Sequence, residues 1–150
     1  MGTHFQGTEQ ERLALDGYIK LARAAESVSF RINDHLREHE LTISQFGVLE
    51  ALFHLGPMQV GELGGKILKS SGNMTLVIDN LERHGLVRRA RREDDRRRID
   101  VHLTEKGEAL VAAVLPAHVA GVVRAFSALT AEEIAELSRL CRKLGTAQLS

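Results

Sequence analysis

Between Leu86 and Leu103 the chain reads LVRRARREDDRRRIDVHL, two short β-branched runs around an arginine-crowded turn. Ile99, Val101 and Leu103 alternate with Asp100 and His102, the pattern of a half-buried return strand, and Glu93 to Arg96 makes the tip. Just before this hairpin, Ser70 to His84 (SSGNMTLVIDNLERH) has helical spacing and carries its polar residues at the front. Leu76, Val77, Ile78 and Leu81 are expected on its buried side, and Gly85 follows where a left-handed C-cap is favoured. A helix with small polar groups on its leading turns, followed by a basic hairpin, suits duplex DNA. The helix can enter the major groove, and the hairpin tip can reach the adjacent backbone or minor groove.

The charge distribution sharpens this reading. Twenty Lys and Arg balance twenty Asp and Glu over 150 residues, yet ten of the cations and only five of the acids lie between Lys66 and Arg98. That window is net +5 and the rest of the chain net −5. Neutralising backbone phosphates accounts for such a local concentration better than a solvated loop does once a recognition helix precedes it. The single cysteine, Cys141, cannot form an intrachain disulfide, so a reducing compartment is expected. Met1 to Gln10 lacks a signal-peptide core and no apolar run is expected to span a membrane, so a cytoplasmic protein without a membrane partner is expected. No nucleophile elbow, P-loop, metalloprotease motif or dinucleotide fingerprint points to an enzyme or to a cofactor.

The remaining segments read as helices. Leu13, Tyr18, Ile19, Leu21, Ala22, Ala25, Val28, Ile32 and Leu36 predict one long amphipathic helix from Thr8 to about His39. The TISQ capping box at Thr42 and Gln45 opens a second helix, which Gly56-Pro57 ends. Met58 to Val60 reads as a brief strand and Gly61 to Leu68 as a short helix. Thr104 is the expected N-cap of a long helix in which Pro116 predicts a kink or break. The TAEE box at Thr130 opens the last helix. The order gives a mainly α chain with a small β-hairpin wing (α+β). It is a single domain over 1–150, in which a winged helix-turn-helix core at 42–103 is flanked by dimerisation helices at 8–40 and 104–148. Val111, Val114, Val119, Val122, Val123 and Leu137 are the expected subunit-interface residues, and a twofold homodimer would set two recognition helices about one DNA turn apart.

Four segments carry a resemblance: LTISQFGVLEAL, QVGELGGKIL, SSGNMTLVIDNLERHGLV and, in the wing, DRRRIDVHLTEKG. Together they resemble the MarR family of bacterial transcription regulators. The wing fits its D-R-R-x-x-x-V-x-L-T-x-x-G signature through Asp95, Arg96, Arg97, Val101, Leu103, Thr104 and Gly107. Gly64-Gly65 departs from the bulkier helix formers usual there. The resemblance implies a homodimeric regulator, usually a repressor, on a palindromic operator, released by a small phenolic or other aromatic compound or by cysteine oxidation. It places Ser71, Asn73 and Thr75 in the major groove and Arg97 in the minor groove, with Asp95 orienting that arginine.

The chemistry of the residues agrees. Asn can pair with adenine in bidentate fashion, Ser and Thr can bond base edges or phosphates, and Arg suits a narrow A·T-rich minor groove. The candidate DNA-contacting set is Ser70, Ser71, Gly72, Asn73, Thr75, Leu76, Arg88, Arg91, Arg92, Asp95, Arg96 and Arg97, with Leu76 counted here as well as on the buried side. Arg88, Arg89, Arg91, Arg92 and Arg96 are expected to serve phosphates. Tyr18, Phe30, His35, Phe46 and Phe53 are the candidate liners of an effector pocket, with plain core aromatics as the alternative. His35 and His39, spaced i, i+4, and His118 are the candidates for a metal site, which would make the chain a zinc-type metal-responsive regulator of the same fold. Cys141 reads as a buried, inert thiol, and the early cysteine of the peroxide-sensing relatives is absent. A winged-helix module that binds an acidic protein is the remaining alternative.

Overall fold

Two threonines open helices in the same way. Thr42 Oγ1 accepts from the Gln45 amide while the Gln45 side chain accepts from the Thr42 amide; Thr130 and Glu133 repeat the arrangement. Each box satisfies amides that a helix N-terminus leaves unpaired. The computed structural model describes residues 2–67 and 71–147, with the side chains of residues 71 and 72 outside that description. The elements are α1 (Glu9–Asn33), a 3₁₀ turn (Asp34–His39), α2 (Ile43–Leu55), α3 (Val60–Ile67), α4 (Ser71–Arg83), β1 (Val87–Arg91), β2 (Ile99–Leu103), α5 (Glu105–Ala125) and α6 (Ala131–Gly145).

Several boundaries correct the sequence reading. The first α-helix stops at Asn33, and Asp34–His39 tightens into a 3₁₀ turn that ends with Glu40 in the left-handed region (φ 56°). Three residues per turn put His35 and His39 about 120° apart, so they do not share a face as an α-helical i, i+4 pair would. Val60 already belongs to α3, and of the expected strand only Met58 pairs, bridging Val101 through N–H···O bonds of 3.4 and 2.9 Å. Leu68 lies outside the described residues. Helix α5 continues as helix through Pro116. Alanine- and valine-rich between charged ends, α5 is also long and apolar enough, by length and composition alone, to cross a membrane, contrary to the sequence expectation.

The chain divides into two compact units. One runs from Asn33 to His118; the other joins the residues up to Ile32 with those from Val119 onward. The first holds the core: Leu36, Phe46, Val48, Leu49, Leu52, Leu63, Met74, Ile78, Leu81, Val87, Val101, Val111 and Val114 are buried. Val111 and Val114, expected at a subunit interface, are completely enclosed here because the first turns of α5 pack into this core. In the second unit neither α1 nor α6 buries a single residue, and Leu13, Tyr18, Phe30, Val119, Val123, Leu140 and Leu144 all stand exposed.

β1 and β2 form an antiparallel hairpin with Val87 opposite Leu103, Arg89 opposite Val101 and Arg91 opposite Ile99. Two glycines set its position. Gly85 adopts φ 73°, its amide bonds the Glu82 carbonyl, and the Leu86 amide reaches back to Leu81 O at 3.0 Å. This is a Schellman end, with buried Leu86 and Leu81 supplying its apolar contact. Gly107 sits where a Cβ would lie 2.1 Å from the Leu86 carbonyl oxygen, so the first turn of α5 can lie against the start of β1 only because this residue has no side chain. Thr104 completes the junction: its hydroxyl donates to Gly85 O at 2.6 Å and accepts from the Gly107 amide at 3.0 Å.

Candidate nucleic-acid interface

Helix α4 turns Met74, Ile78 and Leu81 inward, at i, i+4 and i+7, and each is at most 1% exposed. This leaves Asn73, Thr75, Leu76 and Asp79 on the solvent face. Leu76 is 67% exposed, which corrects its place on the buried side; Met74, overlooked in the sequence, takes the core position instead. Of the other helix candidates, Ser70 lies outside the described residues, and for Ser71 and Gly72 only the backbone, the first turn of α4, is described.

The arginines of the wing do not act alike. Strand alternation puts Arg89 on the same face as buried Val87 and Val101, toward α4. Its guanidinium reaches Asp79 Oδ1 at 2.6 Å and Glu82 Oε1 at 2.7 Å, and its amide donates to Glu82 Oε2 at 2.9 Å. Burial alone lowers the Arg89 pKa, but the bonds to Asp79 and Glu82 outweigh it and hold the guanidinium above its ordinary value. Arg89 is therefore a strap from wing to helix, not a phosphate contact as the sequence suggested. The signal was present: Asp79 and Glu82 are spaced i, i+3 on the helix, and Arg89 alternates with Val87 on the strand.

At the tip, the Arg92 amide bonds Arg98 O at 2.9 Å and the Arg98 amide bonds Asp95 O at 3.0 Å, closing the turn. Arg91 donates to the Arg96 carbonyl at 2.7 Å. Arg92 pairs with Asp94 at 3.2 Å and lies 3.7 Å from Asp100. Asp95 Oδ1 accepts from both the amide (3.1 Å) and Nε (3.3 Å) of Arg97, whose side chain is 92% exposed. One carboxylate thus aims a guanidinium straight off the tip. Arg88, Arg96 and Arg98 are exposed around it.

Of the candidate sensing residues, His35 and Phe46 come together around His118. The His118 ring lies 4.7 Å from Phe46 and 5.3 Å from His35, centroid to centroid. His118 Nδ1 is buried without a hydrogen-bond partner among the described residues. Burial lowers the His118 pKa, the Glu50 carboxylate opposes this and His35 adds to it. Tyr18, Phe30 and Phe53 are exposed. His39 instead lines a surface cavity of about 280 Å³ with Gln45, His84 and Lys106. Among the described residues, no group of three or more His, Cys, Asp or Glu is placed to hold a metal ion. Cys141 is exposed on α6, which corrects the buried thiol.

Comparison with known proteins places this geometry. The model of the MarR family matches residues 41–99, from just past the 3₁₀ turn to the start of β2. The chain is 38% identical over 145 residues to the HTH-type transcriptional regulator YkoM of Bacillus subtilis, covering 97% of this chain and 94% of that one. It is 35% identical over 128 residues to the HTH-type transcriptional regulator MhqR of the same organism, covering 85% and 88%. Among solved structures, Bordetella bronchiseptica BpsR, whose DNA binding is regulated by 6-hydroxynicotinic acid, superposes with a TM-score of 0.80 at 25% identity, covering 99% of this chain and all of that one.

Proposed function

This chain belongs to the MarR family of HTH-type transcription regulators, and on that premise we propose that it is a homodimeric repressor of a palindromic operator, released by a small aromatic effector. The observation that carries the DNA reading is the wing tip. Asp95 holds an almost fully exposed Arg97, while Arg89 ties the same hairpin to α4. An arginine preoriented in this way enters a narrow minor groove with little further ordering. Beside it, Asn73, Thr75 and Leu76, with residues 70–72 leading them, meet base edges in the major groove. Arg88, Arg91, Arg92 and Arg96 serve the backbone and Asp95 acts through Arg97. A dimer seated on such an operator excludes polymerase from the same DNA.

Support for the dimer is the exposed apolar face of α1, α5 and α6, where Val119, Val123 and Leu137 remain uncovered in one chain. Support for the effector is the His35–Phe46–His118 cluster, an aromatic surface in which His118 Nδ1 is buried without a hydrogen-bond partner among the described residues, together with the hydroxylated aromatic acid that regulates BpsR. Tyr18, Phe30 and Phe53 are proposed as further effector contacts. A soluble reducing cytoplasm is the setting this function requires.

The test is fluorescence anisotropy of a labelled duplex covering the DNA upstream of the chain's own gene, beside a scrambled duplex, at several salt concentrations. Preferential binding at two chains per duplex, with log Kd rising linearly with log salt, supports the reading. Absence of binding to either duplex at low salt overturns it in favour of an acidic protein partner.

A further inference from the structure

We propose that Leu76 reads the 5-methyl group of a thymine in each half-site, so that it is an apolar specificity determinant within the recognition helix. This rests on the DNA-binding reading above. The core side of α4 is complete without Leu76, since Met74, Ile78 and Leu81 are enclosed and Val77 is half-buried. Leu76 instead stands 67% exposed, one turn after Asn73 and one turn before Asp79 on the same face. Single exposed leucines are common on protein surfaces, so exposure alone says little. The argument is position. This face is the one that enters the groove, and Asp79 at its far end is already drawn onto Arg89 at 2.6 Å.

In the major groove the thymine methyl is the one apolar landmark a base pair offers, and an aliphatic side chain recognises it by excluding water from both. Asn73, one turn earlier, carries the amide that suits adenine. Together the two predict a T·A-containing step at the centre of each half-site contact, with the methyl on the strand facing Leu76. No polar group is asked of Leu76, so the discrimination it supplies is between pyrimidines with and without a 5-methyl.

The experiment begins with selection of preferred duplexes from a random library by the full chain. Each thymine of the selected duplex is then replaced singly by 2′-deoxyuridine, which lacks only the methyl, and binding is measured for the native chain and for Leu76→Ala. Loss of one buried methyl contact corresponds to roughly three- to fivefold in Kd. The expected result is one thymine per half-site where deoxyuridine weakens the native chain by about that factor and leaves Leu76→Ala unaffected. A cytosine at that position should bind worse than 5-methylcytosine for the native chain only. A selected motif with a flat deoxyuridine scan, or a penalty that persists in Leu76→Ala, overturns the role of Leu76 while leaving the DNA reading intact. Failure to enrich any motif overturns both. Thermal melting of Leu76→Ala should match the native chain, because the side chain leaves no cavity.

Discussion

At the residue scale, Arg97 and His118 are opposites. Arg97 is held by one carboxylate and otherwise surrounded by solvent, so its contribution to folding is small, and the role proposed for it is in binding DNA. Arg97→Ala should leave the melting temperature unchanged and reduce specific operator affinity by about 1–3 kcal/mol, read by anisotropy. Unchanged affinity would remove the wing from the minor groove. His118 lies against His35 and Phe46, and burial disfavours its imidazolium form. The unfolded chain therefore takes up a proton that the folded one resists. The cost to stability is absent well above roughly pH 6.5, the unperturbed value, and grows as pH falls below it. The fall in melting temperature between pH 7.5 and 5.5 should be smaller in His118→Gln than in the native chain; equal falls would contradict this. Both residues are named by the sequence, but only Arg97 has a role that local pattern can assign, through its two-residue spacing from Asp95.

At the scale of elements, the junction of α4, β1 and α5 decides where the wing points. The signature glycine and threonine after β2 acquire physical reasons here. Gly107 permits backbone contact at Leu86, and Thr104 links the Gly85 carbonyl to the α5 N-terminus. Gly107→Ala forces a Cβ into a carbonyl oxygen and should cost about 3 kcal/mol, measured by urea unfolding. A Cβ at Gly85 would meet only the flexible Lys106 side chain, at an ordinary contact distance of 3.9 Å, so Gly85→Ala pays for its positive φ, about 1–2 kcal/mol, and the order of the two variants tests the geometry. The Arg89 strap adds a second link. Arg89→Ala leaves Asp79 and Glu82 without their partner at a site still partly open to solvent, so the loss should be about 1 kcal/mol, with the urea midpoint lowered and the slope unchanged. A larger effect on operator affinity than on stability would show that the strap also sets the angle between wing and helix.

For the whole molecule, one chain encloses a core within Asn33–His118 but leaves the apolar sides of α1 and α6 and the later part of α5 uncovered. A second copy of the chain covers such a face in the proposed dimer, and two-site attachment multiplies the affinity of each half. Val123→Asp, at a position 64% exposed in one chain, should therefore preserve the helical content while moving the chain from two copies to one in sedimentation equilibrium. Operator affinity should fall with it. A Val123→Asp protein that remains a dimer would place the interface elsewhere.

The amino-acid sequence by itself determined the elements whose signals are local. The two capping boxes, the Gly85 helix end, the strand from Ile99 to Leu103 and the acid–arginine spacing at the tip all act within a few residues, and each is found in the structure where those residues stand, although of the strand's apolar residues only Val101 is buried and Ile99 is exposed. Tertiary structure decided what periodicity leaves open. An apolar residue on an amphipathic helix can face the core or solvent, and only packing sends Met74, Val111 and Val114 inward while Leu76 turns out. An arginine in a basic hairpin can face phosphate or protein, and only the pairing of β1 with β2 beside α4 turns Arg89 onto Asp79 and Glu82. Local propensity is set by neighbours in the chain. Burial and the pairing of Arg89 are set by neighbours in space, which for Arg89 stand seven and ten residues away in the chain.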